Sequence, residues 1–219
     1  RDVFKIVDTD YANKHVYLTD GTPVHADIKD GSTWRSILVA GLGRGGKGFY
    51  ALDISDQTAP KALWEFSQKS GCTLGTAPRF TSSNGVTEDC DIGYSYGNPV
   101  ITKYQGNWVV MVTSGYNNHE NGGNGRGYLY VLNALTGAVL HKISTGVGSD
   151  TDPSGLARIV AWADNANLDN TTKYVYGGDV KGNLWRFDFS SVAPFVRKVI
   201  GLGDTQPITV RPDIGEYRM

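Results

Sequence analysis

One pattern of aromatic, apolar and acidic or amide positions recurs in three short segments that can be laid over one another: GFYALDIS at 48–55, YLYVLNAL at 128–135 and NLWRFDFS at 183–190. Tyr50, Tyr130 and Trp185 share a register, Leu52, Leu132 and Phe187 fall two residues later, and Asp53, Asn133 and Asp188 close the pattern. A period of two sets successive side chains on opposite faces of an extended chain, so each segment predicts a strand.

Each of these strands follows a more apolar one across a glycine-containing turn: SILVAGLGRGGKG, WVVMVTSGYNNHENGGNGRG and KYVYGGDVKGN. Outgoing strands are predicted at KALWEFS, AVLHKIST and VRKVIGL, and opening strands at TPVHADI, GNPVITKY and GLARIVAWAD. The unit is thus four antiparallel strands over roughly 50 to 80 residues, and its tandem repetition predicts an all-β chain folded as a β-propeller. TQPITV at 205–210 reads as the start of a fourth unit, and residues 1–20 as the tail of a preceding one. Residues 1–219 therefore read as a single propeller region, a partial ring of about three to four blades and a fragment of a larger protein. A β-sandwich with accidental strand similarity is the alternative.

Composition agrees with short strands and tight turns: 28 Gly, 12 Tyr and 5 Trp among 219 residues. Lys and Arg number 21 against 22 Asp and Glu, so the charge gives no reason to expect nucleic acid or an anionic membrane as partner. No apolar run approaches the roughly 18 residues of a membrane-spanning segment, and the start at Arg1 has no signal-peptide character.

Cys72 and Cys90, the only two cysteines, bracket an insertion rich in Thr, Ser and Gly that has too little apolar material for a core of its own. A disulfide between them would close residues 72–90 as a loop and place the chain in an oxidising compartment, which means export. Two unrelated buried thiols are the alternative, and no cysteine or histidine spacing suggests zinc.

DGTPVHADIKDGSTWRSILVAGLGRGGKGFYALDISD, DIGYSYGNPVI, GYNNHENGGNGRGYLYVLNALTGAVL and YVYGGDVKGNLWRFD occur in this order, and together they resemble the C-terminal β-propeller of the PilC/PilY family. These are type IV pilus biogenesis factors and tip-associated adhesins, and the resemblance covers most of residues 20–190. It implies quinoprotein-type (PQQ-like) four-stranded blades and a noncatalytic role in pilus biogenesis, favouring extension over retraction, with a variable N-terminal region contributing adhesion; surface or host-cell adhesion through the propeller loops is the further expectation for this chain. It also implies a cell-surface, pilus-tip or outer-membrane location, with pilin or minor pilin subunits and a host-cell or abiotic surface as partners. YVLNALTG alone would also suit a periplasmic quinoprotein dehydrogenase, the alternative function, although Cys72 and Cys90 are not the adjacent cysteine pair such enzymes usually carry.

Members of this family often carry a calcium loop, Asp-x-Asp-x-Asp/Asn-x-x-x-Asp, and the resemblance places it at WADNANLDNTTKYVYGGD. The ligands on offer are Asp164, Asn165, Asn167 and Asp169. A calcium ion takes about six to eight oxygens, and here Lys173 occupies the ninth position of the loop counted from Asn165. A hairpin loop whose Asn and Asp side chains bond nearby backbone is the preferred reading. Asp8 and Asp10 of DTDYAN make a weaker candidate for a metal. Gly41, Gly43 and Gly46 match G-x-G-x-x-G, but a strand follows where a phosphate cradle requires a helix, so they predict a hairpin turn. No nucleophile elbow is present. His15, His25, His119 and His141 read as structural or solvent-facing, and most of the tryptophans read as blade packing. The long loops 115–127 and 146–156 are the first places to look for contact with a partner.

Overall fold

The fold was analysed in a computed structural model that describes residues 9–76, 79–166 and 168–215. In the first unit β1 (Val24–Asp30), β2 (Thr33–Gly41), β3 (Gly48–Asp53) and β4 (Lys61–Gln68) pair in sequence order. The second unit comprises β7 (Val100–Tyr104), β8 (Asn107–Thr113), β9 (Tyr128–Asn133) and β10 (Val139–Ser144). The third comprises β11 (Ile159–Trp162), β12 (Tyr174–Gly178), β13 (Asn183–Asp188) and β14 (Phe195–Gly201). All twelve strands predicted for the three units are present, each unit forms an antiparallel meander, and the recurring segment is always the third strand.

Two hydrophobic cores lie between the sheets. Val110 and Val112 of β8, with Tyr128, Tyr130 and Leu132 of β9, face Ile37, Val39, Phe49 and Phe66 of the first sheet. The alternate residues Val109, Met111, Leu129 and Val131 face Val175, Trp185 and Phe187 of the third. The middle sheet is buried on both faces, which is why WVVMV and YLYVL are almost continuously apolar. Face-to-face stacking of four-stranded meanders is propeller architecture. Trp64 adds a polar tie: it lies in the first core, and its indole N–H donates to the Ala134 carbonyl at 2.8 Å.

The recurring acidic or amide residue has a specific job. Asp53 accepts from the Ser55 amide at 2.9 Å, Asn133 from the amides of Leu135 and Thr136 at 3.0 Å, and Asp188 from the Ser190 amide at 3.0 Å. Each side chain starts the turn that leaves the third strand, standing in for a backbone acceptor.

Two segments differ from expectation. The insertion 72–90 builds a hairpin, β5 (Phe80–Ser83) and β6 (Val86–Asp89), and β6 adds to β4 in parallel to give a six-stranded sheet. Its turn, Asn84-Gly85, has positive φ at both residues, 51° and 77°, a two-residue hairpin geometry that suits Asn-Gly. The insertion needs no core because it borrows the edge of an existing sheet. TQPITV forms no strand; the Ile208 amide donates to the Asp179 carbonyl at 2.9 Å, and its side chain covers Gly178 of the third sheet. Residues 9–20 contain turns and bends but no strand, and the rest of the expected preceding blade, residues 1–8, lies outside the described residues. Of the five tryptophans, Trp64 and Trp185 are buried in the cores, while Trp34 is 61% exposed on the free face of the first sheet.

Candidate functional site

The loop between β11 and β12 holds the residues expected to meet calcium. Asn165 bonds back to Asp169 through a short antiparallel bridge, its carbonyl accepting from the Asp169 amide at 2.8 Å. Asp164 and Asp169 both project into solvent. The Lys173 ammonium donates to Asp164 Oδ2 at 2.8 Å, and the Trp162 indole donates to Oδ1 at 3.0 Å. Thr171 donates to Asp169 Oδ2 at 2.7 Å, and the Lys103 ammonium approaches Oδ1 at 3.4 Å. Hydrogen bonding to Lys173 and Trp162 holds the Asp164 carboxyl below its ordinary range, and hydrogen bonding to Thr171 and Lys103 does the same for Asp169. Two carboxylates, each with a lysine already against it, fall well short of the oxygen shell calcium takes. Asn167 lies outside the described residues. Asp10, of the second candidate, pairs with Lys14 at 3.2 Å and accepts from Asn13 at 2.7 Å; Asp8 lies outside the described residues.

Cys72 and Cys90 form a disulfide with their Cα atoms 5.9 Å apart. Around it lies a charge cluster that sequence reasoning did not find. Cys90 stands between Asp89 and Asp91, whose side chains are 1% and 2% exposed. Lys142 of β10 reaches across from the next sheet, donating to both Asp89 oxygens at 2.9 Å and to Asp91 Oδ2 at 2.7 Å. Arg79 donates to Asp91 Oδ1 at 2.5 Å, and the Asn124 amide to the same oxygen at 2.9 Å. The Lys142 ammonium also lies 4.4 Å from the Tyr128 ring centre. Burial pushes the Asp89 carboxyl up despite Lys142. Burial also acts to raise Asp91, but Lys142, the Asn124 amide and Arg79 outweigh it and hold that carboxyl low. Two carboxylates facing two cations make a balanced ionic lock, and among the described residues no group of three or more His, Cys, Asp or Glu is arranged to hold a metal.

A second buried carboxylate organises the third sheet. Asp179, fully buried in the β12–β13 turn, accepts from the amides of Lys181 and Asn183 at 3.0 and 2.9 Å. It also accepts from the Trp185 indole at 2.8 Å. The glycines 41, 43 and 46 lie around the β2–β3 hairpin turn, as expected, and β3 follows them directly. Asp179 also accepts from the Ser154 hydroxyl at 3.3 Å, and each carboxylate constellation is filled by hydrogen bonds that hold neighbouring backbone and side chains in place.

Three stacked meanders whose charged residues hold structure narrow the family without naming it. The description of a known domain, the PilY1 β-propeller domain, matches residues 1–207. The chain belongs to this PilY1 β-propeller family. It is 35% identical over 175 residues, 80% of its length, to the type IV pilus biogenesis factor PilY1 of Pseudomonas aeruginosa. It is 31% identical over 219 residues, covering 94% of the chain, to a PilY1 homolog of Xylella fastidiosa. The crystal structure of the Pseudomonas aeruginosa PilY1 C-terminal domain superposes with a TM-score of 0.57 and 34% sequence identity, covering 78% of this chain and 30% of that one. This PilY1-family propeller spans 13% of the length of both curated relatives. Among the described residues no helix is long and apolar enough to cross a membrane.

Proposed function

We propose that this chain is a noncatalytic propeller segment of a type IV pilus biogenesis factor, exported to the cell surface, where it favours pilus extension over retraction and contributes to surface attachment. The observation that carries the reading is the identity of 30 to 35% to pilus biogenesis factors along most of the chain. The disulfide supports an oxidising location. Pilin or minor pilin subunits are the proposed partners, reached through loops 115–127 and 146–156.

Deleting this region in frame from its gene tests the role. The expected result is loss of surface pili, with pili returning when the retraction motor is also inactivated. Normal piliation in the single deletion would refute the proposal. Loop 164–173 is read as a structural closure, because lysines occupy both carboxylates. Calorimetric calcium titration should give no saturable heat; heat that disappears in Asp169→Ala would establish a calcium site instead.

A further inference from the structure

At the end of the first two sheets where the β2–β3 and β8–β9 turns lie, four chain segments meet around an open pocket of about 500 Å³. Tyr17 comes from the segment before β1, Arg44 from the β2–β3 turn, Tyr94 and Tyr96 from the segment before β7, and Tyr116 from the loop after β8. Four tyrosines from three separate stretches share one concave surface, and none of them belongs to a hydrophobic core.

Their hydroxyls and the Arg44 guanidinium stay open to a ligand, although Lys47 lies 5.3 Å from the Tyr94 ring centre. Among the described residues, none of the four tyrosine hydroxyls has a protein hydrogen-bond partner. The Arg44 guanidinium lies 4.8 Å from the Tyr17 ring centre and, among the described residues, meets no carboxylate. Its neighbour Lys47, in contrast, is paired with Glu120 at 2.7 Å. His15 packs edge-on against Tyr17, with ring centres 4.8 Å apart, and Tyr96 lies 5.7 Å from Tyr116.

The walls are held in place before any ligand arrives. Tyr94 and Tyr116 form a two-way backbone bridge, each amide donating to the other's carbonyl, with N···O distances of 2.7 and 3.1 Å. A Cβ at Gly45 would run into the Leu18 carbonyl, so a glycine there lets the turn that carries Arg44 dock against the segment that carries Tyr17. Fixed walls reduce the ordering cost of binding.

We propose that this pocket binds a saccharide that carries a carboxylate, such as a uronic acid. Tyrosine combines a flat apolar face, against which the C–H face of a sugar ring packs, with a hydroxyl for the ring substituents, and it does so at low entropic cost. The volume suits a ligand of one or two sugar rings. Arg44 supplies the carboxylate contact, since guanidinium matches carboxylate in a two-point geometry. An extended acidic peptide fits less well: peptide recognition at a sheet uses unpaired backbone, and Tyr94 and Tyr116 have spent theirs on each other. The proposal goes beyond the pilus reading and stands or falls on the isolated chain.

Methyl β-D-glucuronide and its neutral counterpart methyl β-D-glucoside, titrated against the 219-residue chain by ligand-observed NMR, test it. The glucuronide should bind more tightly by about fivefold. Arg44→Gln should erase that preference while weak glucoside binding persists, and Tyr96→Ala should abolish both, with near-ultraviolet circular dichroism confirming that each variant is folded. Failure of both sugars to bind, equal binding of the two, or a preference that survives in Arg44→Gln would overturn the assignment. Displacement of the glucuronide by acetyl-Asp-Glu-amide at a lower concentration than free glucuronide requires would overturn it in favour of an acidic peptide.

Discussion

Asp53 and Asn133 start equivalent turns with different side chains, so the charge on Asp53 must serve something besides the turn. That something is Arg35, which donates to Asp53 Oδ2 at 2.8 Å and to Asp30 at 2.9 Å. The Ser55 hydroxyl and amide, with Arg35, hold the Asp53 carboxyl at about 2, against an ordinary value of 3.8. A carboxylate with a lowered folded value stabilises the fold above its unfolded value and loses that contribution as pH falls through its folded value. The predicted loss lies between about pH 4 and pH 2 and amounts to at most about 2 kcal/mol. Asp53→Asn should preserve the turn, as Asn133 does, yet flatten the acid limb. Urea midpoints of both proteins across that range check this; parallel curves would show that the charge contributes nothing.

At the scale of elements, the insertion 72–90 is held by one covalent and one ionic device. Reducing the disulfide, or replacing both cysteines with Ser, should cost about 3 kcal/mol, the value for freeing a loop of this size. Lys142→Met should cost about 3 kcal/mol as well, because among the described residues it leaves Asp89 buried with no cation and Asp91 with Arg79 alone. Chemical denaturation measures both. A loss under 1 kcal/mol in Lys142→Met would mean that the carboxylates find water or neutralise instead. The twelve propeller strands were legible because the same aromatic, apolar and acidic or amide positions recur in each unit and glycine-containing turns separate them, even where β8 and β9 are apolar on both faces. The Asn84-Gly85 hairpin was overlooked because FTSS and VTED are too polar to read as strands, although the dipeptide itself was a usable signal. The ionic lock was invisible for a different reason: 50 or so residues separate Lys142 from Asp89 and Asp91, and only stacking of the sheets brings them together. Lys173 was legible as a break in the calcium pattern, and its ion pair with Asp164 supplies the physical content of that break. TQPITV looked like a strand because its pattern suits one, but Ile208 is used instead to cover Gly178.

For the molecule as a whole, stability should follow the stacking. Among the described residues the middle sheet shares one core with the first sheet and another with the third, so the fold behaves as a short one-dimensional array whose middle member has two such interfaces. Amide hydrogen exchange should therefore be slowest in β8 and β9, whose residues feed both cores, and fastest in β14, most of which is exposed. Phe187→Ala removes a fully buried ring from the second core and should cost about 3 to 5 kcal/mol there. Its effect should be directional: exchange in β12 and β13 should accelerate strongly, β8 and β9 less, and β2 and β3 least, since the first core is left intact. Equal acceleration in all three sheets would instead mean that they unfold as one unit, with coupling across β8 and β9 stronger than the loss of one interface. Exchange measured by mass spectrometry on the parent and Phe187→Ala proteins separates these outcomes. It also bears on the tyrosine pocket, because the pocket's walls come from the first two sheets and the segments leading into them. Under the array description, glucuronide binding should survive Phe187→Ala even where the third sheet has loosened.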